Sequence, residues 1–308
     1  MNSILNFLSG NTPAKLGASI IILFILMSVF APQLAPHDPG KRVARGHQPP
    51  SADHIMGTTR AGQDIYSQLL HGGRTSLLVA FSAGLLSTLI AVLMGVTSAY
   101  LGGKVDDFMV FIMNVVLVIP NLPLILVLAA FLGEAGPLSI AIIIGTTSWA
   151  WGARVIRAQT LSIREKEFVT AAEVIGESRW RIVLVEIVPN LVSIITGGFV
   201  ATTLYAVLSE AGLEFIGLGD PNVVTWGTML LWAQNNSALM VGAWWDMLVP
   251  AIAISVFGGG LALFNMGMDQ VSNPQLKGGT NLKRWKKLHD QLETERKARL
   301  AGARQSAG

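Results

Sequence analysis

Residues 76–101 read SLLVAFSAGLLSTLIAVLMGVTSAYL, an unbroken stretch with no charge. About 20 mostly apolar residues are enough for a helix to cross the hydrocarbon of a bilayer. Working outward, five more stretches fit that length: 16–34, 108–132, 138–155, 191–211 and 247–268. The expected fold class is therefore an all-α integral membrane protein with six transmembrane helices.

Composition agrees: 51% of the 308 residues are hydrophobic and only 13% are charged, which excludes a water-soluble core-and-shell protein. With no cysteine, neither a disulfide framework nor a thiolate metal site can form. The net charge of +3 is small, and no nucleic-acid module is present. The 16–34 stretch is read as a span and not as a cleaved signal. It is long enough to cross, it runs into Ala31-Pro32-Gln33-Leu34-Ala35-Pro36, and only Lys15 precedes it as a basic residue.

Loop charges orient the chain. A cytoplasmic N-terminus places Arg157, Arg164, Lys166, Arg179, Arg181 and the basic tail after Lys277 on one side. The opposite loops, near 133–137 and 213–245, hold no lysine or arginine. Lys41, Arg42, Arg45, Arg60 and Arg74 fall in the first external loop, but long loops translocate with weak regard to charge. The expected organisation is a cytoplasmic N-terminus (1–15), a first span (16–34), and an external loop (35–75) ending in an amphipathic stretch with Ile65, Leu69 and Leu70. A five-helix core (76–268) with a cytoplasmic loop (157–190) follows, then a basic cytoplasmic tail (269–308). In the tail, Leu282, Trp285, Leu288 and Leu292 recur at helical spacing. That pattern suits either a helix lying on the inner leaflet or a solvated terminal helix.

The 160–190 segment is written as two helices. Ser162 and Glu165 have the form of a capping box, Gly176 suits a left-handed stop, and Ser178 suits the cap of a second helix. In that second helix Ile182, Val183, Val185 and Ile187 lead to Pro189. Between the two lies Ala171-Ala172-Glu173-Val174-Ile175-Gly176, where small side chains permit close approach by another surface, although alanine also simply favours helix.

From Phe168 to Asn190 the chain resembles the cytoplasmic EAA signature of binding-protein-dependent ABC importer permeases, through Ala171, Ala172, Gly176, Ile187, Pro189 and Asn190. Thr170 stands where that signature usually has glutamate, and Glu173 where the peptide permeases tend to have arginine. The resemblance extends to the second permease of the dipeptide and oligopeptide importers, the DppC/OppC type. It runs through Gly57-Thr58-Thr59-Arg60-Ala61-Gly62-Gln63-Asp64-Ile65-Tyr66-Ser67, Phe215-Ile216-Gly217-Leu218-Gly219, Thr225-Trp226-Gly227 and Asn273-Pro274-Gln275-Leu276-Lys277.

The resemblance implies a type I importer permease in the inner membrane. Its expected partners are a second homologous permease, two cytoplasmic ATPase subunits or domains, and an extracytoplasmic solute-binding protein. Its expected coupling residues are Thr170, Ala171, Ala172, Glu173, Gly176, Ile187 and Pro189, with Ala171 and Ala172 facing the ATPase and Glu173 pairing with a basic group there. The implied substrate is a di- or oligopeptide; the same family also carries oligosaccharides and metal complexes. No cofactor or metal is expected. No G-x-x-x-x-G-K-[ST] occurs, so the chain is not expected to be an enzyme and ATP hydrolysis falls to the partners.

Rival classes fare worse. An ion-coupled carrier needs ionisable groups in its spans, yet every histidine falls in a loop or the tail, and Glu134, Glu210, Asp246 and Asp269 fall near span ends. No catalytic constellation or filter-like loop is visible. Trp226, Trp232, Trp244 and Trp245 read as interface anchors, Pro120, Pro123 and Pro250 as hinges or kinks, and Gly258-Gly259-Gly260 as a helix-packing site. Single cysteines at Ser139 and Ser178 are expected to label from outside and from inside the cell, respectively; reversed labelling with an impermeant maleimide would invert the topology.

Overall fold

The computed structural model describes residues 11–272, 285 and 287–293. Four helices are long and apolar enough to cross a membrane, and two bent pairs bring the number to six when each pair is taken as one span. The first is α1 (Thr12–Val29), whose Asn11 cap accepts from the Ala14 amide and donates to the Gly267 carbonyl. It closes at Phe30 into a short turn of helix, α2 (Ala31–Leu34).

The central strut is α3 (Ile65–Leu101), 37 residues and so about 55 Å long. It begins eleven residues earlier than apolarity suggests, at 65 and not 76: the external amphipathic stretch is the opening of this same helix. Asp64 caps it, accepting from the backbone and the hydroxyl of Ser67. Gly72 and Gly73 do not break it, because a side chain at either would press on Thr225 or Trp226, and that packing outweighs their low helix propensity.

The span expected at 108–132 is two helices, α4 (Gly103–Val118) and α5 (Asn121–Leu132), bent by 81°. Pro120 holds Ile119 in an extended conformation and so sets the break. The next pair, α6 (Pro137–Thr147) and α7 (Trp149–Arg164), bends by 41° at Ser148. A cytoplasmic-loop helix, α8 (Glu167–Val174), and the short α9 (Arg179–Arg181) precede a π-helical stretch (Ile182–Ile187) that runs into α10 (Val188–Phe215). Finally α11 (Trp226–Asn235) and α12 (Trp244–Ser272) return to the bundle, and α12 carries Pro250 inside it.

Two cores form. One joins α1, α3, α6, α10, α11 and α12 around Phe257, with Phe24, Phe81 and Trp226 packed at ring-centroid distances of 5.5–6.4 Å. The other lies under the 165–190 segment. Trp226 and Trp245 are thus buried structural residues and not interface anchors; Trp226 donates to the Leu69 carbonyl at 3.1 Å and Trp245 to that of Thr58 at 3.4 Å. Trp232 and Trp244 stay about half exposed. In the tail, residues 287–293 are helical and Trp285, Leu288 and Leu292 are exposed; Leu282 and the Asn273–Lys277 match lie outside the described residues.

Helices α1 and α12 cross backbone to backbone. A methyl group on Gly17 would stand 2.5 Å from the Gly260 carbonyl oxygen, while one on Gly259 would meet nothing within 4 Å. Gly17→Ala should therefore destabilise the detergent-solubilised protein by about 1–3 kcal/mol through overpacking. Gly259→Ala should leave thermal unfolding unchanged or raise it slightly. Equal melting curves for the two variants would contradict the crossing.

Candidate functional site

Lys166, extended, separates α7 from α8. Ser162 lies inside α7 and caps nothing, so the inferred capping box does not form: a continuous α7 satisfies its backbone amide instead. Ser178 does stand at the N-cap position of α9, with extended backbone but no side-chain bond.

The inferred stop at Gly176 is present in full. Its φ is +80°, the Glu177 amide donates to Ala172 O and the Gly176 amide to Glu173 O, both at 3.1 Å. This pair of bonds is a Schellman turn, which satisfies the last carbonyls of α8 and turns the chain back.

One face of α8 is anchored. Val169 is buried and Ala172 half-buried against Ile182, Ile187 and Leu191. The opposite face is bare and apolar: Val174, Ile175 and Trp180 are each at least 75% exposed, and Phe168 and Ala171 are exposed beside them. Charged neighbours Glu167, Glu173 and Arg181, the last paired with Glu177, surround this patch. Contiguous exposed apolar surface rimmed by charge is the ordinary mark of a protein-binding face.

The expected site residues therefore divide. Thr170, Ala171, Glu173, Gly176 and Pro189 are exposed; Ala172 is half-buried and Ile187 wholly buried, so these two secure the elbow from within and do not present a surface. Pro189 has a structural consequence. Lacking an N–H, it cannot bond to residue 185, and the preceding turn widens so that the Val188 amide reaches Val183 O, the π-helical stretch that joins elbow to span.

Sequence patterns did not reveal the clamp under the elbow. Asp106 of α4 accepts two bonds from Arg157 of α7, at 2.7 and 2.5 Å, and a third from Ser98 of α3. Arg164 donates to the Ala99 carbonyl at 3.2 Å and lies over the Tyr100 ring. Partners 51 residues apart leave no periodic signal; the Asp106-Asp107 pair after Gly102-Gly103 at a span start is the one hint.

A second polar cluster holds the other end of α3. Ser76 donates to Glu210 at 2.9 Å and accepts from the Trp226 amide at 3.2 Å. Thr225 donates to Glu214 while forming a reciprocal capping box with Thr228. Glu210 and Glu214 are both buried although they stand in the last turns of α10, which ends at Phe215.

Comparison with known proteins bears on this site. Residues 87–277 match the family described as binding-protein-dependent transport system inner membrane component, and residues 4–50 match the N-terminal TM domain of oligopeptide transport permease C. The dipeptide transport system permease protein DppC of Bacillus subtilis (strain 168) is 30% identical, over 88% of this chain and 84% of its own length. The oligopeptide transport system permease protein OppC of the same organism is 32% identical, over 87% of each chain. The probable D,D-dipeptide transport system permease protein DdpC of Escherichia coli (strain K12) is 33% identical, over 88% and 90%. An inward-facing structure of the MetNI methionine ABC transporter aligns over 62% of this chain and 94% of its own at 17% identity and a TM-score of 0.47, too distant to bear on the fold.

A side chain at Gly176 would meet no neighbour within 4 Å, so only the left-handed backbone penalises substitution, by roughly 1–2 kcal/mol. Gly176→Ala is expected to speed hydrogen exchange at the 172–177 amides about tenfold, and Gly176→Val further, with the spans protected as before. Unchanged exchange in both variants would remove the turn from the account.

Proposed function

The chain belongs to the family of inner-membrane components of binding-protein-dependent transport systems, and from that membership we propose that it forms half of the translocation path of an ATP-driven importer of di- or oligopeptides. The single observation that carries the proposal is the bare apolar face of α8 and the turn after it, set on a rigid, clamped elbow.

Two cytoplasmic ATPase subunits or domains would supply the work, one of them seated on Ala171, Val174, Ile175 and Trp180, with Glu173 in reach of a basic group. A second permease would complete the path, and a solute-binding protein would deliver substrate to the end opposite the elbow. Both termini would lie in the cytoplasm. Peptide as substrate is supported by the named transport roles of the three relatives, all dipeptide or oligopeptide permeases. Thr170, Gly176, Ile187 and Pro189 serve the elbow's shape and stiffness: closure of the ATPases would tilt α8, and the π-helical stretch would pass that tilt to α10.

Ala171 is exposed and Ala172 is not, so the two separate docking from folding. Ala171→Trp should insert and melt like the parent yet lose ATPase co-purification and peptide-stimulated ATP hydrolysis in proteoliposomes. Ala172→Trp should lower the melting temperature as well. Normal transport by Ala171→Trp would exclude this face as the seat.

A further inference from the structure

At the end of the bundle opposite the elbow, a cavity of about 620 Å³ opens between the loop before α3, the 216–225 loop, and residues of α11 and α12. Two groups of opposite charge line it and make no ion pair with each other. Asp246, in the first turn of α12, is 3% exposed, and its Oδ2 has no hydrogen-bond partner among the described residues. Each other buried acid described is held by at least one oxygen, Asp64 by Ser67 and His54, Glu210 by Ser76 and Glu214 by Thr225, and of these Glu210 alone leaves its second oxygen, Oε2, without a partner as well. Arg60 stands exposed on the loop side, in no ion pair among the described residues. Asn222, Asn236, Met229 and Trp232 line the space as well.

Burying a carboxylate without a partner is costly, and a cation brought to it offsets that cost. A lone arginine on the same cavity supplies a planar donor for a carboxylate. The geometry points to a binding site for a small zwitterion, its ammonium group on Asp246 and its carboxylate on Arg60. The cavity lies within the usual range for small-molecule sites, roughly 300–1,000 Å³. Its amide and apolar walls suit an unblocked short peptide extended between the two charges. The zwitterion chemistry stands on the cavity alone; that the zwitterion is a peptide rests on the function proposed above.

The test uses the full chain assembled with its partner permease and ATPases in nanodiscs, without binding protein. Calorimetric titration compares dialanine, N-acetyl-dialanine and dialanine amide. Dialanine should bind, and blocking either end should weaken binding by at least about tenfold, as loss of a hydrogen bond to a charged group does. Asp246→Asn should erase the difference between dialanine and its acetylated form. Arg60→Ala, at an exposed position that folding does not need, should erase the difference between dialanine and its amide and leave the acetyl effect intact. Absence of dialanine binding, equal binding of the acetylated form to the parent, or full affinity in Asp246→Asn would overturn the proposal. If dialanine fails to bind while peptide-loaded binding protein still stimulates ATP hydrolysis, the cavity site falls and the importer stands. If dialanine binds and no peptide stimulates hydrolysis, the site stands and the substrate assignment falls.

Discussion

Ser76 Oγ stands between the Glu210 carboxylate and the Trp226 amide, at 2.9 and 3.2 Å, and joins α3, α10 and α11 at one point. Hydrocarbon offers no partner to any of these groups, so each must find its own inside the protein. Thr225 adds a third link by donating to Glu214 while its own oxygen caps α11. The aromatic cluster of Phe24, Phe81, Trp226 and Phe257 closes beside these bonds. Removing one partner would leave a buried acceptor unbonded, which costs about 1–3 kcal/mol or more for a charged group. The tight junction also explains why Gly72 and Gly73 stand in the middle of a helical turn: larger residues would push α3 away from Thr225 and Trp226.

The same strut is held at its far end by charge. Asp106 draws together Ser98 and Arg157, so α3, α4 and α7 cannot separate without leaving that ion pair partly buried and unpaired. The elbow stands directly on this clamp, through α7 on one side and the core residues Val169, Ile182 and Ile187 on the other. On the proposed function, force applied to the bare face of α8 reaches rigid elements at once. The deformable parts are elsewhere: the 81° break at Pro120 and the π-helical turn before Pro189. A lever of this kind needs a stiff arm and a localised hinge, and the proline positions place the hinges where backbone hydrogen bonding is already interrupted.

Much of the fold was legible because it follows from solvent. Apolar length located the four long helices and the two bent pairs, and glycine after α8 announced its stop, since the left-handed turn there suits few other residues. Pattern failed where tertiary contact decided. Ser162 and Glu165 match a capping box letter for letter, yet α7 runs past Ser162 to Arg164, with Glu165 as its C-cap, because its buried Ala153, Ile156 and Thr160 hold it in the bundle against α3 and α4. The start of α3 was hidden because its first eleven residues are amphipathic and are buried by a loop distant in sequence. Ala172 looked like its neighbour Ala171, but a helix face separates them. The clamp at Asp106 and the junction at Glu210 had no periodic signal, because their partners Arg157 and Ser76 lie 51 and 134 residues away.

Those two glutamates bear on the class of transporter. Charge-poor spans argue against an ion-driven carrier, and the structure shows that α10 nevertheless buries two carboxyl groups near its end, Glu210, which the sequence also places there, and Glu214. Their location still speaks against coupling. Glu210 lies five residues, about 8 Å, from the end of α10, not at its middle. Glu214 is engaged by Thr225 and Glu210 by Ser76, both of which have helix-packing roles of their own. A coupling site must let its ion enter and leave, whereas here each entry would dismantle the junction that holds α3 to α10 and α11. On the proposed function, polar groups so committed to structure leave the energy for transport to come from outside the bundle, through the face of the elbow that the described residues leave uncovered.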